Sequence, residues 1–211
     1  MAPNMQNPSD AKRAQNRSRL KMLAVLAVCA APMIFSYVTY YWIKPTGRTN
    51  YGDLINPSAY PIPAMASHTL DGQPQGLDAY KGKWIMLKVG PSDCQQACQD
   101  QLFAMRQLRT MQGKEMERIE RVWLITDEQP LDTVMIRVND GTRMLRAPAA
   151  VIAKWLPLEG GGDQAADHVY LIDPLGNLMM RYPKGAVSSD VETVKKVNKD
   201  LGKLLKASAI G

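Results

Sequence analysis

The stretch WIMLKVGPSDCQQACQD, residues 84–100, decides the fold prediction because it joins an apolar run to a pair of cysteines. Residues 84–90 have the length and apolar character of a strand that is covered on both faces. Apolar side chains then recur at helical spacing, at Cys98, Leu102, Met105 and Leu108. The sequence therefore predicts a buried strand followed by an amphipathic helix, with Cys94 and Cys98 where the two meet.

The rest of the chain continues this alternation of strands and helices. Residues 121–127 predict a second buried strand, and residues 168–183 predict an antiparallel hairpin that turns at 173–177. Short helices are predicted from Pro130 and over 148–156. A closing amphipathic helix is predicted with Ser188 or Ser189 as its cap, and its apolar face comprises Val191, Val194, Val197, Leu201 and Leu204. This order predicts an α/β fold, and a cysteine pair after the first long strand gives it a thioredoxin-like layout: a mixed sheet flanked by helices.

The positive charge is concentrated at the N-terminus. Residues 1–22 carry five cationic side chains against one acidic side chain, Asp10, so they account for +4 of the net charge of +6. The remaining chain is close to neutral and lacks the broad basic surface that binds phosphates. We therefore expect no nucleic-acid partner.

An uncharged apolar run follows the basic segment. Residues 22–43 are long enough to cross a bilayer, and Tyr37, Tyr40, Tyr41 and Trp42 lie near their far end, where aromatic rings favour the membrane interface. The basic flank predicts a single-pass inner-membrane anchor with residues 1–21 in the cytoplasm and the later chain on the periplasmic side, or in an equivalent compartment. A buried core helix, a cleaved signal peptide and lipidation at Cys29 are the alternatives. Residues 44–63 are predicted to form a linker and residues 64–211 the folded domain.

Cys94 and Cys98 carry the most specific chemistry in the sequence. Ser92 or Asp93 is a candidate cap, which would put both sulfurs near the start of a helix, where the partial positive charge favours thiolate. The three-residue spacing suits a redox pair or two ligands for a soft ion such as Cu(I) or Zn(II). A metal would need a further ligand. Of the two histidines, His68 is predicted to be a solvated polar residue, whereas His168 precedes a buried strand and is the candidate third ligand.

Three segments resemble the SCO/SenC family of membrane-anchored, thioredoxin-fold proteins. They are KGKWIMLKVGPSDCQQACQDQL, RVWLITDEQPLDT and ADHVYLIDPLGNLMMRYP, and the resemblance spans residues 63–206. It implies delivery of copper, as Cu(I) or Cu(II), to the CuA centre of cytochrome c oxidase. The family's C-x3-C pair and distant histidine fall on Cys94, Cys98 and His168, and Asp127 matches its acidic residue after the second strand. The CuA subunit and other copper chaperones are the implied partners.

The chain departs from the family pattern inside the cysteine loop. The family usually has proline after each cysteine, whereas this chain has Gln95 and Gln99, which predicts a less constrained loop. The resemblance implies copper delivery by Cys94, Cys98 and His168. The alternative is thiol–disulfide exchange by the redox pair Cys94 and Cys98, which would keep a partner's cysteines reduced. A third alternative is a non-catalytic assembly factor that only docks to an oxidase subunit.

Overall fold

The computed structural model describes residues 8–43, 50–158 and 163–208 of the 211-residue chain. The chain divides into two compact units, Met1–Arg48 and Thr49–Gly211. The first unit holds the candidate membrane helix, and the second holds the sheet and the cysteine pair.

The first unit is one long helix. Helix α1, Pro8–Val38, continues as a π-helix, Thr39–Ile43. Its stretch Gln15–Trp42 is long and apolar enough to cross a membrane, and none of its most apolar window is buried inside the protein. A core helix of a soluble protein would be mostly buried, so the core-helix alternative finds no support here. Residues 8–21 of the predicted tail are helical as well, and residues 1–7 lie outside the described part of the chain.

The second unit is built on a seven-stranded mixed sheet with the order β1-β7-β6-β3-β4-β5-β2. The strands are β1 (Asp53–Leu54), β2 (His68–Thr69), β3 (Trp84–Gly90), β4 (Ile119–Ile125), β5 (Arg143–Arg146), β6 (Val169–Ile172) and β7 (Leu178–Tyr182). Strands β3, β4 and β5 are parallel, and β6 runs antiparallel to both β3 and β7. The predicted thioredoxin-like mixed sheet is therefore confirmed.

Two apolar layers cover the sheet. One contains Met86, Trp123 and Leu171 and packs against α2 (Gln96–Met111) and α5 (Val191–Ala207). The opposite layer packs against the short helix α4, Ala149–Trp155. Every residue of β3 is buried, which explains why this strand shows no alternation of polar and apolar residues.

Three helices begin at different residues from those predicted. Helix α2 begins at Gln96, and Gln95 is its N-cap without a side-chain bond. Helix α3, Thr133–Val138, begins three residues after Pro130, because the Asp132 carboxylate accepts a hydrogen bond from the amide of Val134. The cap of α5 is Asp190, not Ser188 or Ser189. Val197, Leu201 and Leu205 form the buried face of α5, whereas the predicted core residue Val191 is exposed.

The predicted linker is corrected over residues 50–63. Strand β1 pairs with β7, and the amide of Ile55 donates to the carbonyl of Met179. The buried carboxylate of Asp200 on α5 accepts hydrogen bonds from the amides of Tyr51 (2.5 Å) and Gly52 (3.0 Å). This segment is thus part of the sheet domain, and residues 44–49 lie outside the described residues.

Candidate functional site

Cys94 and Cys98 are joined by a disulfide, with their Cα atoms 5.2 Å apart. Both cysteines lie between the end of β3 and the first turn of α2, as the sequence predicts. The surroundings of Cys94 differ from those of Cys98. Cys94 precedes the helix and is buried in the layer beneath α2, whereas Cys98 is the third residue of the first helical turn and is half-buried. Helix N-terminal amides favour an anion, and Cys98 lies in that first turn.

Cys98 lies at a surface cleft of about 470 Å³. Its walls come from the loop after β3, the first turns of α2, the 3-10 turn Ala165–Asp167 and the segment after β7. The charged side chains that line it are Lys88, Asp93, Asp100, Asp167 and Lys184. A thiol or a disulfide from a partner can therefore reach the sulfur of Cys98 from this cleft.

The loop that carries Cys94 is fixed by side-chain hydrogen bonds. The Asp127 carboxylate, at the end of β4, accepts from the amide of Ser92 at 3.0 Å. Gln95 donates to the Asp93 carboxylate at 3.0 Å, and Gln99 donates to the carbonyl of Cys94 at 2.9 Å. The two glutamines that stand where prolines are usual thus constrain the loop through hydrogen bonds.

We expect Asp127→Ala to loosen this loop. The change leaves the amides of Ser92 and Gln129 without their acceptor and removes one of two ion-pair partners of Arg146, 3.7 Å away. The loss should be about 1–2 kcal/mol of unfolding free energy in urea melts, together with faster reduction of the disulfide by dithiothreitol. Asp127→Asn, which keeps an acceptor oxygen, is the control and should lose less. Equal reduction rates in all three proteins would contradict this role.

The contribution of the Asp127 carboxylate to folding stability depends on pH, and its sign follows from the direction of the pKa shift. Burial raises the pKa of Asp127, but the hydrogen bonds from Ser92 and Gln129 and the charge of Arg146 outweigh it, so the pKa lies below its usual value. A carboxylate with a lowered pKa stabilises the folded protein above the unfolded pKa of about 4, and this contribution is lost as the pH falls through the folded value.

His168 immediately precedes β6, as predicted, but it faces away from the cysteines. Val169 and Leu171 of β6 point into the layer beneath α2, and Tyr170 points into the layer beneath α4. His168 is extended, and its ring lies 6.1 Å from that of Tyr170, two residues on. Because side chains of a strand alternate between faces, His168 lies on the face opposite Cys94.

The structure therefore does not bring the three predicted ligands together in the disulfide form. Among the described residues, no cluster of three His, Cys, Asp or Glu side chains could hold a metal ion. The imidazole of His168 is buried; its Nδ1 lies 2.9 Å from the carbonyl oxygen of Tyr182, and its Nε2 lies 3.4 Å from the Asp163 carboxylate. His68, predicted to be solvated, is part of β2 and lies 3.4 Å from Glu128.

Lys88 was not among the predicted site residues, although it is only 1% exposed in the middle of β3. Its ammonium group donates a hydrogen bond to the carbonyl of Ala166 and lies at the cleft beside Cys98. Burial lowers the pKa of Lys88 to about 8, although the charge of Asp167 acts in the opposite direction. The signal that could have found it is a single charge inside an otherwise apolar strand.

Between about pH 8 and 10.5, the unfolding free energy of the wild-type protein should rise with pH, and in Lys88→Met this rise should be absent. Where the folded pKa is lowered, the unfolded chain binds more protons, so stability increases as the pH passes from the folded to the unfolded pKa. The shift from 10.5 to about 8 corresponds to a rise of up to about 3 kcal/mol. Urea melts of both proteins across this range test it. Burial raises the pKa of Tyr170 and of Tyr182 in both proteins, so the difference between the two melting curves isolates Lys88. Parallel curves would contradict the prediction.

Two family models match the chain. Residues 84–208 match the transmembrane-like, thioredoxin-like C-terminal domain, and residues 12–43 match the transmembrane-like N-terminal domain. The chain belongs to this transmembrane-like, thioredoxin-like family. Both parts of the family pattern, the apolar helix and the sheet domain, are thus present in this member. No curated protein matches the chain.

Solved structures share the fold of this family member. A SCO1/SenC family lipoprotein from Bacillus anthracis is 20% identical, with a TM-score of 0.51, over 74% of this chain and 98% of that one. Yeast Sco1 with copper bound is 15% identical, with a TM-score of 0.52, over 77% and 97%. A putative protein disulfide isomerase from Bacteroides thetaiotaomicron is 19% identical, with a TM-score of 0.51, over 74% and 94%. The predicted resemblance to SCO/SenC proteins is confirmed at the level of the fold.

Proposed function

We propose that this protein carries out thiol–disulfide exchange through Cys94 and Cys98. The observation that carries this proposal is the asymmetry of the pair: Cys98 lies at the start of a helix beside an open cleft, whereas Cys94 is buried beneath that helix. Exchange needs one accessible sulfur that attacks and a second sulfur that resolves the mixed disulfide. The pair supplies both.

The reaction in the reducing direction starts from the dithiol form. The Cys98 thiolate attacks one sulfur of a partner's disulfide, an S–S bond forms between the two proteins, and the partner's other sulfur leaves as a thiolate that takes up a proton. The Cys94 thiolate then attacks Cys98, the mixed disulfide breaks, and the partner's second thiolate leaves and is protonated. Two electrons pass to the partner, and the pair ends as the disulfide.

We also propose a membrane-bound, exported location, which would suit this function. The inner membrane is the proposed site, with residues 22–43 as the single-pass anchor, the basic N-terminus in the cytoplasm and the sheet domain on the periplasmic side. Disulfides persist in such oxidising compartments. Reporter fusions at the N-terminus and the C-terminus test the orientation: an enzyme active only in the periplasm should work at the C-terminal position alone.

The exchange reaction itself is tested with the full-length protein in detergent. We expect it to accelerate the reduction of insulin disulfides by dithiothreitol. Cys29→Ser, which removes the free cysteine of α1, should retain the full rate. A protein whose disulfide stays oxidised in excess dithiothreitol, or that gives no acceleration over dithiothreitol alone, would overturn the proposal.

Copper delivery to the CuA subunit of cytochrome c oxidase is the second candidate. Its support is the copper-bound yeast protein of the same fold, together with two sulfurs that suit a soft ion once the disulfide is reduced. Cys94 and Cys98 would bind copper as thiolates, with His168 as the third ligand after it leaves its place on the opposite face of the sheet. Other copper chaperones would supply the ion.

Anaerobic Cu(I) titration of the reduced full-length protein tests this candidate. One equivalent should bind in wild type and bind far more weakly in Cys94→Ser. If His168→Ala binds as wild type does, the cysteine pair alone holds Cu(I), and His168 is not a ligand. Equal, weak binding in wild type and Cys94→Ser would exclude copper delivery.

A further inference from the structure

The most unusual side chain near the disulfide is the buried lysine of β3. A lysine is almost never fully buried unless it is paired. Lys88 nevertheless occupies the layer beneath α2, the same layer that holds Cys94, because it alternates with Leu87 and Val89 of the opposite layer. Its one hydrogen-bond acceptor in the described part of the chain is a neutral carbonyl, that of Ala166.

The ammonium group lies at the edge of the cysteine loop. A Cβ built on Gly90 would be 3.8 Å from Nζ of Lys88 and 3.6 Å from Cβ of Ala166. Gly90 therefore sits directly beside the ammonium, and three residues separate it from Cys94. Lys88 and Cys98 line the same cleft.

The other charges of the cleft do not neutralise Lys88 by direct contact. The Asp167 carboxylate forms its ion pair with Lys184, at 3.1 Å. Asp93 accepts a hydrogen bond from Gln95, and Asp100 accepts one from Gln96. Lys88 is thus a cation with little solvent around it. In such a low-dielectric environment a charge acts strongly on neighbouring charges.

We propose that Lys88 sets the reduction potential of the Cys94–Cys98 pair, because its buried ammonium stabilises the thiolate form that reduction creates. The disulfide is neutral, so the cation favours the reduced state over the oxidised state. A pair whose reduced form is stabilised has a higher potential and is a better oxidant. This inference rests on the proposed exchange function. Lys88 acts on the cysteines through its charge and forms no bond to the partner.

The test is the equilibrium of full-length protein with defined dithiothreitol mixtures at pH 7. Lys88→Met should shift this equilibrium about tenfold toward the disulfide, or about 30 mV to a more negative potential. Lys88→Gln, which can still donate to Ala166 but carries no charge, should give the same shift. Lys184→Met removes a charge from the exposed rim of the same cleft and should shift it far less.

The two neutral variants separate charge from support of the fold. A merely structural role would weaken the oxidised and the reduced protein equally and leave the potential unchanged. Wild-type potentials in Lys88→Gln, or in both variants, overturn the inference, even if insulin reduction persists. A shifted potential in a protein that never accelerates insulin reduction overturns the exchange function instead and leaves the role of Lys88 standing.

Discussion

Cys94→Ser should accumulate a long-lived mixed disulfide between Cys98 and a partner thiol, whereas Cys98→Ser should lose exchange altogether. In the proposed exchange, Cys98 attacks from the cleft that it lines, and the buried Cys94 releases the partner. Without Cys94 the covalent complex should persist, and without Cys98 the buried Cys94 is the one thiol left in residues 50–211. We expect the protein-catalysed part of the insulin reduction rate, above that of dithiothreitol alone, to fall by about a thousandfold or more in Cys98→Ser. Non-reducing gels with a thionitrobenzoate-labelled peptide measure the trapping.

The background for both variants is Cys29→Ser, so that each protein carries a single cysteine. The stated order of events is specific to this structure, since it assigns the attack to the second cysteine of the pair. If Cys98→Ser instead trapped the peptide and Cys94→Ser did not, the roles of the two sulfurs would be reversed. Equal trapping by both would mean that the burial of Cys94 does not limit access.

Asp200→Ala should cost about 3 kcal/mol of unfolding free energy, the largest stability loss expected outside the apolar core. The carboxylate is buried on α5, and the amides of Tyr51 and Gly52 donate to it. Its removal leaves two donors without an acceptor, each costing about 1–3 kcal/mol when buried. The segment that leads to β1 should then detach from α5. Urea melts measure the loss.

Asp190→Ala on the same helix is the matched control. Asp190 is an exposed N-cap that accepts from Thr193, so its loss should lower the unfolding free energy less than the loss of Asp200 does. Hydrogen exchange separates the two variants further. In Asp200→Ala the amides of residues 51–55 should exchange quickly, whereas in Asp190→Ala only the first turn of α5 should. A smaller loss for Asp200→Ala than for Asp190→Ala would show that the segment is held by other contacts.

The central fold could be predicted because its strands are rich in buried apolar residues. Strands β3 and β4 lie between two apolar layers, so their sequences stand out from the surrounding polar chain. Strand β5 escaped prediction because it reads Arg-Met-Leu-Arg, with both ends polar, and its partner β4 is distant in sequence. The strand β1 escaped as well, since two residues carry no period and acquire their structure from β7 and Asp200.

The candidate site was predictable only in part, because a strand that is covered on both faces does not reveal which way its side chains point. The cysteine pair follows from its place after a buried strand. The face that His168 occupies depends on which residues of β6 point to each side of the sheet. All residues of β6 are buried, so its sequence shows no polar–apolar alternation that would reveal this. The three-ligand set with Cys94 and Cys98 therefore stays a prediction, which the Cu(I) titrations decide.

The two shortest strands have a consequence for how partners approach. Strands β1 and β2 stand at the two ends of the sheet order, and each is only two residues long. Within the described residues, the edge strands therefore offer only a short row of free amide and carbonyl groups that could template an added strand. Recognition by strand addition is thereby disfavoured, both for substrates and for further copies of the chain. In the proposed exchange, a partner that delivers a disulfide is therefore expected to dock through its side chains, at the helical end where the half-buried Cys98 lines the cleft.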